Sequence, residues 1–325
     1  MSNFAPSGEQ YELSAGDYRA TIVEVGGGVR ACDRGDRPVL HPYPVEAMAD
    51  GAHGAPLIPW PNRLADGQYR FDGTDYQVAL TEPEKHNAIH GFLLWRSWEA
   101  REQTADRILM STRLHPRQGY PFALDVSVEY VLSAQGLTAT TTATNIGDKA
   151  CPYGGGQHPY LSPGTGLIDD CEIELDAGTR ILTSADRQLP TGSEPVDGTQ
   201  YDFRRPRRLA ELQVDHAFTD LARDGDGRAW LRLHGTDGMT AQLWVDTTYP
   251  LVEVFTSDTL APDRRRTGLG AEPMTCPPNA FQTGELVTRL EPGASMTTSW
   301  GVQLVRREWA SGAPSPRRHR WRPTP

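Results

Sequence analysis

The chain has 325 residues, 38% of them hydrophobic, and 32 Lys and Arg stand against 42 Asp and Glu for a formal charge of −10. This length can bury a large core in one large all-β domain or two smaller ones, and we expect one, residues 1–305. Because residues 306–325 contribute six arginines and one glutamate, the preceding body is more acidic still, which argues against nucleic acid and other polyanions as main partners.

Met1-Ser2-Asn3-Phe4-Ala5-Pro6 lacks a basic stretch followed by an apolar one, and no segment approaches the ~18 uninterrupted apolar residues of a membrane helix. The expectation is a soluble, cytoplasmic protein without a membrane partner. Cys32, Cys151, Cys171 and Cys276 are scattered with no Cys-x-x-Cys pair, so they read as buried free thiols and not as a zinc site or a disulfide framework.

In chain order, two-residue alternation dominates. Tyr18-Ala20-Ile22 opens it, and Leu124, Val126, Val128, Tyr130 and Leu132 give its longest run, with Asp125, Ser127 and Glu129 on the opposite face. Ala229-Leu231-Leu233, Ala241-Leu243-Val245 and Met296-Thr298-Trp300-Val302-Leu304 repeat the pattern. Asp72-Gly73, Asn145-Ile146-Gly147, Asp237-Gly238 and Glu291-Pro292-Gly293 supply turns. Helical spacing is confined to a turn or two at Arg207–Leu212. The predicted fold is therefore all-β, a large sandwich of antiparallel sheets. Beyond Val305 the alternation stops, and the Arg- and Pro-rich end reads as a solvated, disordered basic tail.

Four places carry candidate chemistry. Pro59-Trp60-Pro61-Asn62-Arg63-Leu64 offers a planar guanidinium for hydroxyl recognition, and His90, in Asn87-Ala88-Ile89-His90-Gly91, can add a hydrogen bond to the same group. His158 follows Gly154-Gly155-Gly156-Gln157, where missing side chains let backbone or ligand come close, and precedes Pro159-Tyr160; it is a candidate acid or base. A second His-Pro-Tyr, at residues 41–43, lacks the glycines and reads as a loop packing an aromatic ring. Asp215, in Val214-Asp215-His216-Ala217-Phe218, can accept hydrogen bonds from vicinal hydroxyls. Glu272 is a lone carboxylate in a Gly- and Pro-rich stretch that reads as a rigid irregular loop.

In this order and spacing, Pro61-Asn62-Arg63-Leu64, Asn87–Gly91, Gly156–Tyr160, Asp215–Phe218 and Glu272 with Pro278-Asn279-Ala280 resemble the aldose 1-epimerase (galactose mutarotase-like) family, from about Tyr18 to Leu304. The resemblance implies a β-supersandwich and a cofactor-independent isomerase, monomeric or homodimeric, that interconverts the α and β anomers of a free hexose such as glucose or galactose. It implies His158 as general acid and Glu272 as general base, with His90 assisting. Arg63, Asn62, Asp215, Gln157 and Tyr160 would bind the sugar. Anomerisation takes the proton from the anomeric hydroxyl while the ring oxygen gains one, opens the ring to an aldehyde, and closes it on the other face. No metal or other cofactor is expected; a site from His53, His86, His90 and His158 fits no ligand spacing. Two alternatives stay open: a hexose-6-phosphate 1-epimerase using Arg264-Arg265-Arg266, and a non-catalytic carbohydrate-binding protein with Trp60 and Trp244 as aromatic platforms.

Overall fold

The computed structural model describes residues 5–164 and 166–307. Where apolar and polar residues alternate, strands form and pair antiparallel. Leu124–Ser133 and Gly136–Asn145 pair along their whole length, from Leu124 opposite Asn145 to Ser133 opposite Gly136, and Leu124, Val126, Val128, Tyr130 and Leu132 are buried. The other face of the second strand pairs its hydroxyls with those of the last strand, Ser295–Arg306: Thr140 with Ser299 and Thr142 with Thr297 at 3.0 Å, Thr144 with Ser295 at 2.8 Å. Such a ladder satisfies a half-exposed face without adding to the core.

Among the described residues the strands build one twelve-stranded and one nine-stranded antiparallel sheet, with three two-stranded pairs beside them. The fold is all-β and of the large sandwich kind. The inner faces of both sheets feed one apolar cluster that includes Tyr18, Ile22, Val126, Val128, Leu243, Trp300 and Val302. All four cysteines lie buried as free thiols. Asp72-Gly73 closes a two-residue hairpin between Gln68–Phe71 and Thr74–Gln77, with φ of 48° and 76° at its two central residues, the positive values such a turn needs.

The helical expectation at Arg207–Leu212 is corrected. Arg207 and Arg208 form an edge strand against Ile173 and Glu172, because pairing to an open edge satisfies backbone groups at once, whereas one helical turn must meet the full cost of nucleation. The described α-helical segment is instead Ala280–Thr283, closed by Gly284 at φ 79°. The last strand continues one residue past the expected boundary, to Arg306. The basic tail predicted from there lies, from residue 308 onward, outside the described residues. No helix among those residues is long and apolar enough to cross a membrane.

Candidate active site

The central strand of the larger sheet is Leu269–Met274, and Glu272 sits within it. The loop expected around this glutamate is therefore corrected to a strand. Pro273, which has no N–H to give a ladder, is tolerated because the strand facing it is interrupted: Gly156–Gln157 pairs with Met274, Tyr160–Leu161 pairs with Gly270 and Leu269, and His158-Pro159 fills the break. His158 is held there by backbone bonds, its N–H donating to Ala55 O (3.1 Å) and its carbonyl accepting from Gly54 N (2.8 Å).

Beyond Glu272 the register aligns side chains on one face in two rungs. Ala217, Glu253 and Glu272 lie directly across from one another, and Asp215, Phe255, Gly270 and Tyr160 form the next rung. That face becomes the floor of a pocket of about 450 Å3, lined among others by Asn62, Arg63, His90, His158, Tyr160, Asp215 and Glu272. The three glycines before His158 serve protein packing: a Cβ on Gly154 would meet Cys276 Sγ at 2.5 Å, and one on Gly156 would meet Pro273 O at 2.8 Å.

The second wall comes from a short pair, Arg63–Ala65 against Asn87–Ile89. Asn62 and His90 flank it in left-handed conformations (φ 55° and 62°), and each holds the other. The His90 N–H donates to Asn62 O at 3.0 Å, while the Asn62 N–H donates to His90 Nδ1 at 3.1 Å. A backbone N–H can only donate, so Nδ1 carries the lone pair and the ring's proton sits on Nε2. Burial, reinforced by the Arg63 charge, pushes His90 down to about 3, so it meets a ligand as a neutral donor.

Arg63 is oriented by Glu82, which accepts from its Nε at 2.9 Å and from a terminal nitrogen at 3.0 Å, with both side chains about nine-tenths buried. Asn87 Nδ2 donates to the same carboxylate at 3.0 Å. Of the Asn62 side chain, Oδ1 accepts from the Arg63 N–H at 2.8 Å. Asp215 accepts a hydrogen bond from Gln188, whose own carbonyl contacts Lys85.

His158 Nε2 stands 3.1 Å from Glu272 Oε1, both nearly fully buried. Burial penalises each charge separately, pushing Glu272 upward, with Asp215 adding to it and Arg63 opposing, and pushing His158 downward, with the His90 and His53 rings adding. Both directions favour the uncharged forms, so the pair in contact can hold a single proton between Nε2 and Oε1 at zero net charge. Tyr160 stacks on His158 (4.9 Å, 20°) and on its other face against His53 (4.2 Å, 13°), while its hydroxyl donates to Gly51 O at 2.8 Å. Tyr160 thus lines the pocket with both ring faces covered by histidines and its hydroxyl already engaged. His53 in turn takes the edge of Tyr43, so His41-Pro42-Tyr43 does pack an aromatic ring.

The structure separates some residues that the sequence grouped. Gln157, expected to bind sugar, lies outside the pocket lining: it is fully buried and donates to the Tyr130 hydroxyl at 3.1 Å, because strand alternation turns it away from its neighbour His158. Trp60 is core, packed on Phe92 and Phe281, and Trp244 stacks under Arg228 on the other sheet, so neither is a platform in this pocket. Of the aromatics that line the pocket, Phe92, Trp95, Tyr160 and Phe255, Trp95 is the exposed one, at 53%. None of Arg264, Arg265 and Arg266 lines it; Arg264 pairs with Asp50 at 2.5 Å and Arg266 with Asp169 and Asp258 at 2.6 and 2.9 Å. Glu253 was not singled out, although one carboxyl inside the apolar run Leu251–Phe255 is the signal that marks it. Among the described residues no group of three or more His, Cys, Asp or Glu could hold a metal ion.

Comparison with known proteins fits this geometry. A family model described as aldose 1-epimerase matches residues 9–302. The chain is 36% identical over 294 residues to the uncharacterized protein YihR of Escherichia coli (strain K12), covering 90% of this chain and 92% of that one. It is 27% identical over 288 residues to galactose mutarotase of Sus scrofa, covering 78% and 80%. In fold it resembles the GalM/aldose epimerase homologue from C. elegans, with a TM-score of 0.82 at 19% identity over 92% of this chain and 99% of that one.

Proposed function

Since the chain belongs to the aldose 1-epimerase family, we propose that it interconverts the α and β anomers of a free hexose such as glucose or galactose, with Glu272 and His158 as the proton-transfer pair. The observation that carries this reading is the 3.1 Å contact between His158 Nε2 and Glu272 Oε1 on the pocket floor. The anomeric hydroxyl and the ring oxygen hang on one carbon, so two groups in contact reach both.

With the shared proton on His158, Glu272 is the carboxylate that accepts the anomeric hydroxyl proton, and His158 delivers its own to the ring oxygen. The C1–ring oxygen bond breaks and the open aldehyde forms. Rotation about the C1–C2 bond turns the other carbonyl face to the new hydroxyl, which attacks; Glu272 returns a proton to the carbonyl oxygen and His158 recovers one. Neutral His90 donates from Nε2 to a sugar oxygen without adding a charge that would compete with His158. Arg63 and Asp215 fix hydroxyls by donating and accepting respectively.

Polarimetry of freshly dissolved α-D-glucose and α-D-galactose tests the reading. Acceleration over buffer is expected for at least one sugar, and its absence for both would leave a sugar-binding protein of this fold. A second reading, a hexose 6-phosphate as substrate, has one observation in its favour: Arg117 lies over Phe92 (4.2 Å) at the pocket, and its side chain pairs with no carboxylate among the described residues. Faster turnover of glucose 6-phosphate than of glucose would favour it.

A further inference from the structure

Glu253 lies directly across from Glu272 in antiparallel register, so both carboxyls leave the sheet on the same side with Cβ atoms about 5 Å apart. Their exposures are 2% and 3%. Ala217, on Glu253's other side, Leu251 and Met274 form a small apolar cluster around them. Glu253 is absent from the pocket lining, and its Oε2 is buried without a hydrogen-bond partner. The charged groups that face it are Glu272 from one neighbouring strand, Asp215 from the other, and Arg63 across the pocket. Arg63, engaged by Glu82 in a two-pronged pairing, opposes the crowding of three carboxyls only in part.

We propose that Glu253 is a positioning residue that acts as a buried carboxylic acid, keeping its proton, donating it in a hydrogen bond to Asp215, and leaving Glu272 as the carboxyl that exchanges protons with substrate. Two like charges opposite each other on neighbouring strands, both almost wholly buried, repel too strongly for both to ionise. Glu253, behind the pocket, has no substrate to relieve it, whereas Glu272 has His158 at 3.1 Å. Burial first, then Asp215 and Glu272, pushes the Glu253 carboxyl well above the usual carboxylate range, and its contact with Asp215 runs in the same direction. Under this assignment Asp215, one rung from Glu253 on the neighbouring strand, is held from two sides, by Gln188 and by the Glu253 proton.

The inference rests on the epimerase reading, so its test includes a readout that needs no turnover. Infrared spectra at pH 7 of the wild type and the Glu253→Gln and Glu253→Met variants report the carbonyl band of protonated carboxyls. Loss of one such band in Glu253→Gln is expected; an unchanged band overturns the proposal whether or not the protein is an epimerase. In anomerisation kinetics, Gln keeps a neutral donor and should hold wild-type KM and kcat to within about threefold. Met keeps the volume without the donor and should raise KM about tenfold. In neither variant should the pH at which activity falls off move, since neither changes the charge. A shift of that pH by about a full unit in both variants would mean a charge had been removed, and wild-type KM in Glu253→Met would mean the hydrogen bond does nothing; either overturns the assignment.

Discussion

Replacing His53 by Phe isolates a pH-dependent part of the stability of the site. The ring lies flat on Tyr160, and its Nε2 donates to His41 O at 2.6 Å, an arrangement available to a neutral imidazole. Burial, only partly opposed by that hydrogen bond, pushes it down to about 3 from an ordinary 6.5. The unfolded chain therefore takes up the proton first as pH falls, and the stability this residue lends is complete above pH ~6.5 and erodes toward about 3. The loss is ~1.4 kcal/mol per pH unit, or roughly 2 kcal/mol between pH 6.5 and 5. Phe keeps the ring stack and cannot titrate. Urea unfolding of both proteins at pH 7.5, 6.5, 5.5 and 5.0 should thus give a constant difference above 6.5 and, below it, a wild type that loses stability faster. His90 and His216, also held neutral, are common to both proteins and cancel from the difference. Curves that run parallel from 7.5 to 5.0 would refute the reasoning, because His53 would then charge as readily folded as unfolded.

Other perturbations separate support from recognition. Glu82→Ala leaves the Arg63 guanidinium buried without its carboxylate and takes away one of the two acceptors of the Asn87 amide, and should cost about 3–5 kcal/mol in denaturant unfolding. Gly91→Ala places a Cβ 2.0 Å from Ile58 O at φ 69°, and should lower stability by at least ~2 kcal/mol in the same assay. Trp95→Ala, by contrast, removes an exposed ring at the pocket: unfolding free energy should stay within about 0.5 kcal/mol of wild type while KM for sugar rises several-fold.

What could be read from the sequence followed the physics of each segment. Period-two alternation is enforced wherever one sheet face is buried, so Leu124–Ser133 and Ser295–Arg306 were plain. Leu269–Met274 was hidden because a strand in the middle of a sheet is buried throughout, does not alternate, and here contains Gly270 and Pro273, whose tolerance depends on a break in a partner more than a hundred residues away. His158, His90, Arg63, Asn62, Asp215 and Glu272 were found by residue type and neighbours, and the fold brings them to one pocket. Gln157 was grouped with them by adjacency, which alternation undoes. Glu253 and Trp95 escaped for opposite reasons: a carboxyl in an apolar strand acquires meaning only from the register that sets it opposite Glu272, and an aromatic in Leu93-Leu94-Trp95 looks like core until its exposure is seen.

The most direct test of the account is the anomer exchange rate of glucose and galactose at equilibrium, measured by magnetisation transfer between the two anomeric protons, with wild type, Glu272→Gln and His158→Gln. The account predicts exchange well above buffer for the wild type on at least one of the two sugars, and a loss on the order of a hundredfold or more in each variant with its fold intact. Wild-type exchange that survives in both variants would contradict the assignment of the proton-transfer pair.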